Sequence, residues 1–148
     1  MAIKYKFSDG GRMHSGLEFS NKDCVIRTIT IALNQPYLKT KRQFTIYLNR
    51  LRCGKDEIVK KYPYLIQEAK DSDPENKGVY PDVWIPFLQR KGYKLYRFYD
   101  KNHKVKELSS KGTYVIGLYG HTTVVKDGVN YDVADCRNKV MDFLLAKR

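Results

Sequence analysis

Three side chains of the types that carry out nucleophilic catalysis follow one another along the chain: Cys24, His121 and Asp132. Cys24 lies where polar, loop-forming residues give way to an apolar helical pattern, so a helix that begins there places the thiol at its positive end. That position favours the thiolate, which is the nucleophilic form of cysteine. A thiolate needs a base and a group that orients the base, and His121 and Asp132 fit those roles. These residues predict acyl-transfer chemistry at a thiol.

A helix has to position Cys24. The segment from Asp23 to Asn34 carries apolar residues at helical spacing, and Asn34 followed by Pro36 closes it. Asn21 and Asp23 are both suitable as helix caps. Because its β-branched isoleucine and threonine residues lower helix propensity, tertiary packing must hold the segment. We therefore expect a central, buried helix.

A β-hairpin has to position His121 and Asp132. Asp127 followed by Gly128 is a strong two-residue turn signal between two alternating segments. Counting back from that turn puts His121 and Asp132 on the same face as diagonal neighbours, where a carboxylate can hold the imidazole. Asp135 lies where the second strand is expected to end, so it is a second candidate for the orienting role.

The remaining periodicity and turn residues predict an α+β domain. Helices are expected at 40–52, 55–61, 64–70 and from Asp82 to just before Gly92. Strands are expected at 93–99, 105–108, 113–119, 121–126 and 129–133, with a short edge strand at 3–7. Helices thus come first and an antiparallel meander second. We expect a single domain over 1–148, with a lead-in segment at 1–20 and a C-terminal tail at 136–148.

Composition sets limits on the class of protein. The chain has 148 residues, 42% hydrophobic and 30% charged, which suits one domain with an apolar core. No apolar run approaches the roughly 20 residues of a membrane span, and the N-terminus lacks the apolar core of a signal peptide. The three cysteines show no C-x-x-C spacing, so neither a disulfide framework nor a zinc site is indicated. We expect a cytoplasmic protein with no membrane partner, metal or cofactor, and Cys53 and Cys136 are expected to be structural thiols.

The charge of the chain is strongly positive. Its formal net charge is +12, which attracts anionic partners such as nucleic acid or an acidic protein surface. The 28 lysine and arginine residues are spread from end to end. Two interpretations follow: a solvated basic surface, or a functional patch for an anionic partner.

Residues 21–29, Asn-Lys-Asp-Cys-Val-Ile-Arg-Thr-Ile, resemble the cysteine motif of papain-like enzymes, most closely the Asp-Gly-Asn-Cys-Leu-Phe-Arg-Ala type of the ovarian-tumour-domain deubiquitinases. Gly120-His121 at a strand start, followed by a strand ending in Asp, is similar to the papain-like order of nucleophile, base and orienter. The pattern also resembles small bacteriophage-encoded proteins. The resemblance spans roughly residues 20 to 136 and rests on about a dozen positions. It implies a papain-like fold, with a cysteine-bearing helix packed on an antiparallel sheet that bears the histidine.

The chain departs from the family pattern just before the cysteine. Asn21 and Lys22 stand where the ovarian-tumour family has Asp and Gly, and Glu18 cannot donate as the papain-family glutamine does while it is ionised. Asn21 is instead a candidate to donate its amide N–H to an oxyanion, together with the backbone N–H of Cys24.

Two functions stay open. In the first, Cys24, His121 and Asp132 hydrolyse a peptide or isopeptide bond of a protein substrate, a host protein if the chain is phage-encoded; the same residues also serve transamidation and deamidation. In the second, the chain is a non-enzymatic binding protein on the same fold, such as a phage inhibitor of a host nucleic-acid machine, working through its basic surface. The sequence fixes neither the substrate nor the oligomeric state.

Overall fold

A computed structural model describes residues 2–147 of the chain. Within that range the chain forms five α-helices, two short 3-10 helices and one six-stranded sheet, which confirms the α+β class. The helices are α1 (Cys24–Leu33), α2 (Tyr37–Arg52), α3 (Ile58–Lys61), α4 (Leu65–Asp71) and α5 (Pro81–Gln89). The strands are β1 (Lys4–Phe7), β2 (Lys94–Arg97), β3 (Thr113–Leu118), β4 (His121–Lys126), β5 (Val129–Asp132) and β6 (Phe143–Lys147). None of the helices in this range is long and apolar enough to cross a membrane.

The sheet has the strand order β1-β5-β4-β3-β6-β2 and is mixed. β3, β4 and β5 form the predicted antiparallel meander, but β1 runs parallel to β5. The expectation of a wholly antiparallel sheet was therefore wrong. β1 covers backbone groups of β5 that would otherwise form a free sheet edge, and Phe7 is paired with Asp132 at the end of that ladder.

The hairpin between β4 and β5 has the register that the sequence predicts. Asp127 and Gly128 have φ angles of 49° and 82°, the left-handed values that a type I′ turn requires at both central residues. Lys126 is paired with Val129 across the turn. This register fixes which face of the sheet each following side chain occupies, and the positions of the two candidate catalytic residues depend on it.

The C-terminal segment is a strand in the sheet rather than a tail. β6 pairs with both β3 and β2, and Leu144 and Leu145 are buried on opposite faces. The short apolar run at 143–145 is typical of a strand that is covered on both sides. The predicted tail at 136–148 is therefore corrected. Met1 and Arg148, the ends of the predicted domain, lie outside the described residues.

The N-terminal segment also has more structure than a lead-in. After β1 it forms a 3-10 helix at Met13–Ser15 and packs over the first turns of α1. Gly10 has a φ of 69°, and a Cβ placed there would lie 3.2 Å from backbone atoms of Arg27. A side chain would therefore strain the backbone and crowd α1. This close approach brings the segment at 8–20 against the helix that carries Cys24.

The helix α1 is central and buried, as its β-branched composition predicts. Val25, Ile26 and Ile29 are at most 2% exposed and belong to the larger apolar core between the helices and the sheet. The Thr28 hydroxyl donates to the Thr122 carbonyl at 3.2 Å, which ties the helix directly to β4. Packing thus supplies the stability that the local propensity lacks.

A smaller apolar cluster covers the opposite face of the sheet. The predicted strand at 105–108 is instead a 3-10 helix, Val105–Glu107, which buries Val105 against that face. Asp82 was also expected to cap a helix, but α5 begins at Pro81 with Tyr80 as its cap residue. Proline suits the first helical position because its fixed φ is already helical.

Gly117 in β3 lies under the ring of Phe143, and we expect Gly117→Ala to destabilise the fold. A Cβ at this position would lie 2.1 Å from Phe143, whose ring packs against Trp84 at 5.5 Å between centroids. The overpacking should lower the free energy of unfolding in urea by roughly 1–3 kcal/mol. Phe143→Leu in the same chain should recover part of that loss, whereas simple addition of the two losses would contradict this steric explanation.

Candidate active site

Cys24 is the first residue of α1 and lies in the wall of a cleft of about 560 Å³. The cleft runs between the β3–β4 hairpin and the segment at 77–81, with Trp84 and Phe143 in its lining. Asp23 occupies the N-cap position, yet its side chain makes no capping hydrogen bond. The first N–H groups of a helix have no intrahelical acceptor, so the helix presents its positive end beside the Cys24 thiol.

His121 is the first residue of β4 and lines the same cleft. Its ring atom Nε2 lies 2.7 Å from Oδ2 of Asp132, the last residue of β5. The imidazole is 26% exposed, whereas the Asp132 side chain is only 3% exposed. Since Nε2 is engaged by the carboxylate, Nδ1 is the ring nitrogen that remains available for a second partner.

Both oxygens of the Asp132 carboxylate are engaged. Oδ2 accepts from His121 and also from the Cys136 thiol at 3.5 Å. Oδ1 accepts from the Val133 backbone N–H at 2.6 Å and from the Arg27 guanidinium at 3.4 Å. This set of donors fixes the orientation of the carboxylate that faces His121.

The backbone of Asp132 is anchored by the N-terminal strand. Its carbonyl accepts from the Ser8 N–H and from the Tyr5 hydroxyl, each at 3.0 Å. Because both donors belong to β1 or the residue just after it, β1 holds the end of β5 in place. The parallel strand that sequence analysis treated as part of a lead-in thus positions one of the candidate site residues.

The environment lowers the pKa of the Cys24 thiol. Burial by itself would raise that pKa, but the hydrogen bond and charge of His121, the Thr122 backbone and the positive charge of Arg27 together outweigh it. A cation and hydrogen-bond donors beside a thiol stabilise the thiolate. Cys24 therefore ionises at a lower pH than an ordinary cysteine.

The same environment raises the pKa of His121 to about 11. Burial would lower that pKa, but hydrogen bonds with Asp132, Cys136 and Cys24 and the charge of Asp132 outweigh it. The pKa of Asp132 is lowered: burial opposes ionisation, while the hydrogen bond and charge of His121 favour it. The directions of these shifts favour the thiolate form of Cys24, the charged form of His121 and the ionised form of Asp132.

The two other predicted site residues lie differently. Asp135 is exposed and binds Arg137, which donates through Nη2 at 2.7 Å and Nε at 2.9 Å. The contact with His121 belongs to Asp132, so Asp135 as the alternative orienter is corrected. Asn21 is exposed and lines a neighbouring cleft of about 660 Å³ together with His121. Its oxyanion role stays a prediction.

Sequence analysis missed a buried polar cluster around the start of α1. Asp23 accepts from Arg27 within the helix, from Arg12 at 3.3 Å and from the Tyr37 hydroxyl at 2.5 Å. The spacing of Asp23 and Arg27, four residues apart on a helix, is a signal that could have indicated their pairing. Arg27 connects this cluster to the candidate active site, because its guanidinium also contacts the Asp132 carboxylate.

His121, Asp132 and Cys136 also meet the distance requirement for a metal site, since their ligand atoms lie within 4.8 Å of one another. The carboxylate oxygen Oδ2 of Asp132, however, is hydrogen-bonded to both His121 and Cys136. Hydrogen bonding therefore accounts for the cluster, and we assign it no metal.

Replacing Asp132 with asparagine should lower the pKa of His121. The substitution keeps the shape of the side chain but removes the charge that favours the imidazolium. The titration midpoint of the His121 imidazole should therefore fall by roughly 2 pH units or more. A titration of the imidazole followed by NMR measures this shift. Asp135→Asn, a change of the same chemistry at an exposed carboxylate paired with Arg137, should leave the midpoint in place. Equal shifts in the two variants would contradict the assignment of Asp132.

Comparison of the chain with protein-family models, with curated proteins and with solved structures finds no match. A function for this chain therefore has to be inferred from the geometry around Cys24.

Proposed function

We propose that this protein is a cysteine-dependent acyl-transfer enzyme, a peptidase or isopeptidase in which Cys24 is the nucleophile. His121 is the general base and acid, and Asp132 orients it. The observation that carries the proposal is the 2.7 Å contact between His121 and Asp132 in the cleft that also contains Cys24. A base oriented by a buried carboxylate beside a thiol at a helix start is the arrangement that nucleophilic catalysis needs.

The reaction proceeds in two halves. The Cys24 thiolate attacks the carbonyl carbon, and the backbone N–H of Cys24, with Asn21 as a second candidate donor, stabilises the oxyanion. The imidazolium of His121 gives its proton to the leaving amine as the C–N bond breaks, which leaves a thioester on Cys24 and a neutral ring. His121 then takes a proton from water as the water attacks the thioester. The C–S bond breaks, the acid product leaves, and the Cys24 thiolate and the protonated His121 are restored.

The papain-like fold forms part of the same proposal. It is supported by a cysteine-bearing helix packed on the sheet and by the chain order of nucleophile, base and orienter. Fold alone does not determine chemistry, so this architecture adds to the case for acyl transfer only together with the geometry of the site.

The surroundings of the site support a protein or peptide substrate. The clefts of about 560 and 660 Å³ adjoin each other, and Leu118 and His121 line both. The second cleft is bordered by exposed apolar side chains, namely Phe19, Tyr119 and Val140. An extended chain lying across the two clefts would place a peptide bond beside Cys24 and apolar side chains on either side of it.

The proposal is tested with p-nitrophenyl acetate, an activated ester, followed by a peptide mixture prepared from a digested cell extract. Mass spectrometry should find the acetyl group on Cys24 well before it appears on Cys53, an exposed cysteine that follows α2 and serves as an internal reference. The wild-type chain should also release new peptide termini that Cys24→Ser does not. Acetylation of Cys24 no faster than that of Cys53, with no new termini, would contradict the proposal.

The net charge of +12 supports a second candidate, a basic binding protein on the same scaffold. Fluorescence anisotropy with a labelled oligonucleotide tests it, because binding to phosphates weakens steeply as salt is raised. Binding that survives such a change in salt, or no binding at low salt, would count against nucleic acid as the partner.

A further inference from the structure

Arg27 joins two buried carboxylates, that of Asp23 just before α1 and that of Asp132 at the end of β5. Its side chain is only 2% exposed. Arginine is seldom buried unless it is paired, and Arg27 is paired with both carboxylates. Nη1 donates to Asp23 and to the Ser20 carbonyl, and Nη2 donates to Asp132 at 3.4 Å. One guanidinium thus links the residue before Cys24 to the carboxylate that faces His121.

The two carboxylates differ in how many cations they contact. Asp23 also has Arg12, at 3.3 Å, and the hydroxyl of Tyr37. Asp132 has Arg27 and His121. If His121 loses its charge, Arg27 is the cation that remains hydrogen-bonded to Asp132 among the described residues. A buried carboxylate without a cation is strongly unfavourable, so this second contact matters whenever the imidazole is neutral.

We propose that Arg27 is a positioning residue of the reaction, which holds Asp132 ionised and directed at His121 while the imidazole is neutral. The inference rests on the proposed function, in which His121 gives its proton to the leaving group and stays neutral until water attacks. During that interval Arg27 compensates the charge of Asp132. By stabilising the state with a neutral ring, Arg27 also makes it easier for His121 to release its proton.

Other charged and titratable groups surround this pair, and the test has to separate Arg27 from them. They are Tyr5 in β1, Arg12 before α1, Asp23 and Cys24 at its start, Tyr37 in α2, Asp71 and Lys77 across the cleft, and Asp135, Cys136 and Arg137 after β5. Arg12 is the matched control, because it shares Asp23 and Tyr37 with the cluster but makes no hydrogen bond to Asp132 among the described residues.

The experiment is an NMR titration of His121 in a Cys24→Ser background, which removes the thiolate and keeps the rest of the site. Arg27→Gln should raise the midpoint of His121 by roughly one unit or more, since the neutral ring would then leave Asp132 without a cation. Arg12→Gln should leave that midpoint within about 0.3 units. A midpoint that falls or stays unchanged in Arg27→Gln, or an equal rise in Arg12→Gln, would overturn the inference.

A second variant keeps the inference testable if Arg27→Gln does not fold. Arg27→Lys retains the charge, but an ammonium lacks the planar fork that reaches two carboxylates at once. The midpoint of His121 should rise in the same direction by a smaller amount, and an unchanged midpoint in folded Arg27→Lys would overturn the role of the fork. Because the titration uses a chain without the nucleophile, its outcome does not depend on whether acyl transfer occurs.

Discussion

Replacing His121 with alanine should slow the alkylation of Cys24 by iodoacetamide at about pH 6 by roughly 10- to 100-fold. At that pH an ordinary thiol with a pKa of about 8.5 is only about 0.3% ionised. Burial raises the pKa of Cys24, but the hydrogen bond and charge of His121 lower it by more, so Cys24 is expected to carry a larger thiolate fraction at that pH than an ordinary thiol. The gain in rate is smaller than the gain in thiolate, since a thiolate of lower pKa is also a weaker nucleophile.

The direction of both pKa shifts defines the range of pH in which the effect should appear. The lowered pKa of Cys24 sets the acid limit of the thiolate–imidazolium pair, and the pKa of His121, raised to about 11, sets its alkaline limit. Between those limits the wild-type rate should vary little with pH. In His121→Ala the rate should rise steadily toward alkaline pH, as it does for a free thiol.

Site-resolved mass spectrometry provides the controls for this prediction. Cys53 reacts in the same sample and reports on the reagent. His103→Ala is a second control, because His103 pairs with Asp100 at 3.3 Å and does not line the cleft that contains Cys24. The alkylation rate of Cys53 should stay the same in His121→Ala, and His103→Ala should leave the alkylation rate of Cys24 unchanged. An unchanged rate at Cys24 in folded His121→Ala would show that the histidine does not activate the thiol.

Asp23→Asn should cost the protein roughly 3–5 kcal/mol of stability. The Asp23 side chain is fully buried and accepts from two guanidinium groups, those of Arg12 and Arg27. An asparagine of the same shape would remove the carboxylate that Arg12 pairs with and would leave Arg27 with the carboxylate of Asp132 alone. Such a loss is comparable to the whole stability of many domains, so urea unfolding should begin at a much lower concentration.

The matched control is Asp135→Asn, because Asp135 also pairs with an arginine but does so at the surface. Exposed ion pairs contribute little, and this variant should change the free energy of unfolding by less than about 1 kcal/mol. Similar losses in the two variants would contradict the account of the cluster around α1.

The parts of the structure that could be predicted are those fixed by local chemistry. Asp127 and Gly128 select a type I′ turn, and that turn sets the register that brings His121 and Asp132 to one face. The apolar spacing after Asp23 likewise locates α1, even though its β-branched residues disfavour a helix. In both places the local signal and the final fold agree.

The parts that could not be predicted depend on partners far away in the chain. β1 and β6 are short strands whose neighbours follow or precede them by many residues, so neither the parallel pairing nor the insertion of β6 beside β3 has a local signal. The contact of Arg27 with Asp132 joins residues 105 positions apart. The choice between Asp132 and Asp135 likewise depended on Arg137, which engages Asp135 at the surface.

The most direct test of the central claim is the ultraviolet absorbance of the Cys24 thiolate, measured as the difference between the wild-type chain and Cys24→Ser while the pH is raised. If Cys24 and His121 form an ion pair, the thiolate signal should appear at a pH well below the pKa of a free cysteine. A signal that appears only above about pH 8 would identify Cys24 as an ordinary thiol and would contradict the proposed catalytic role.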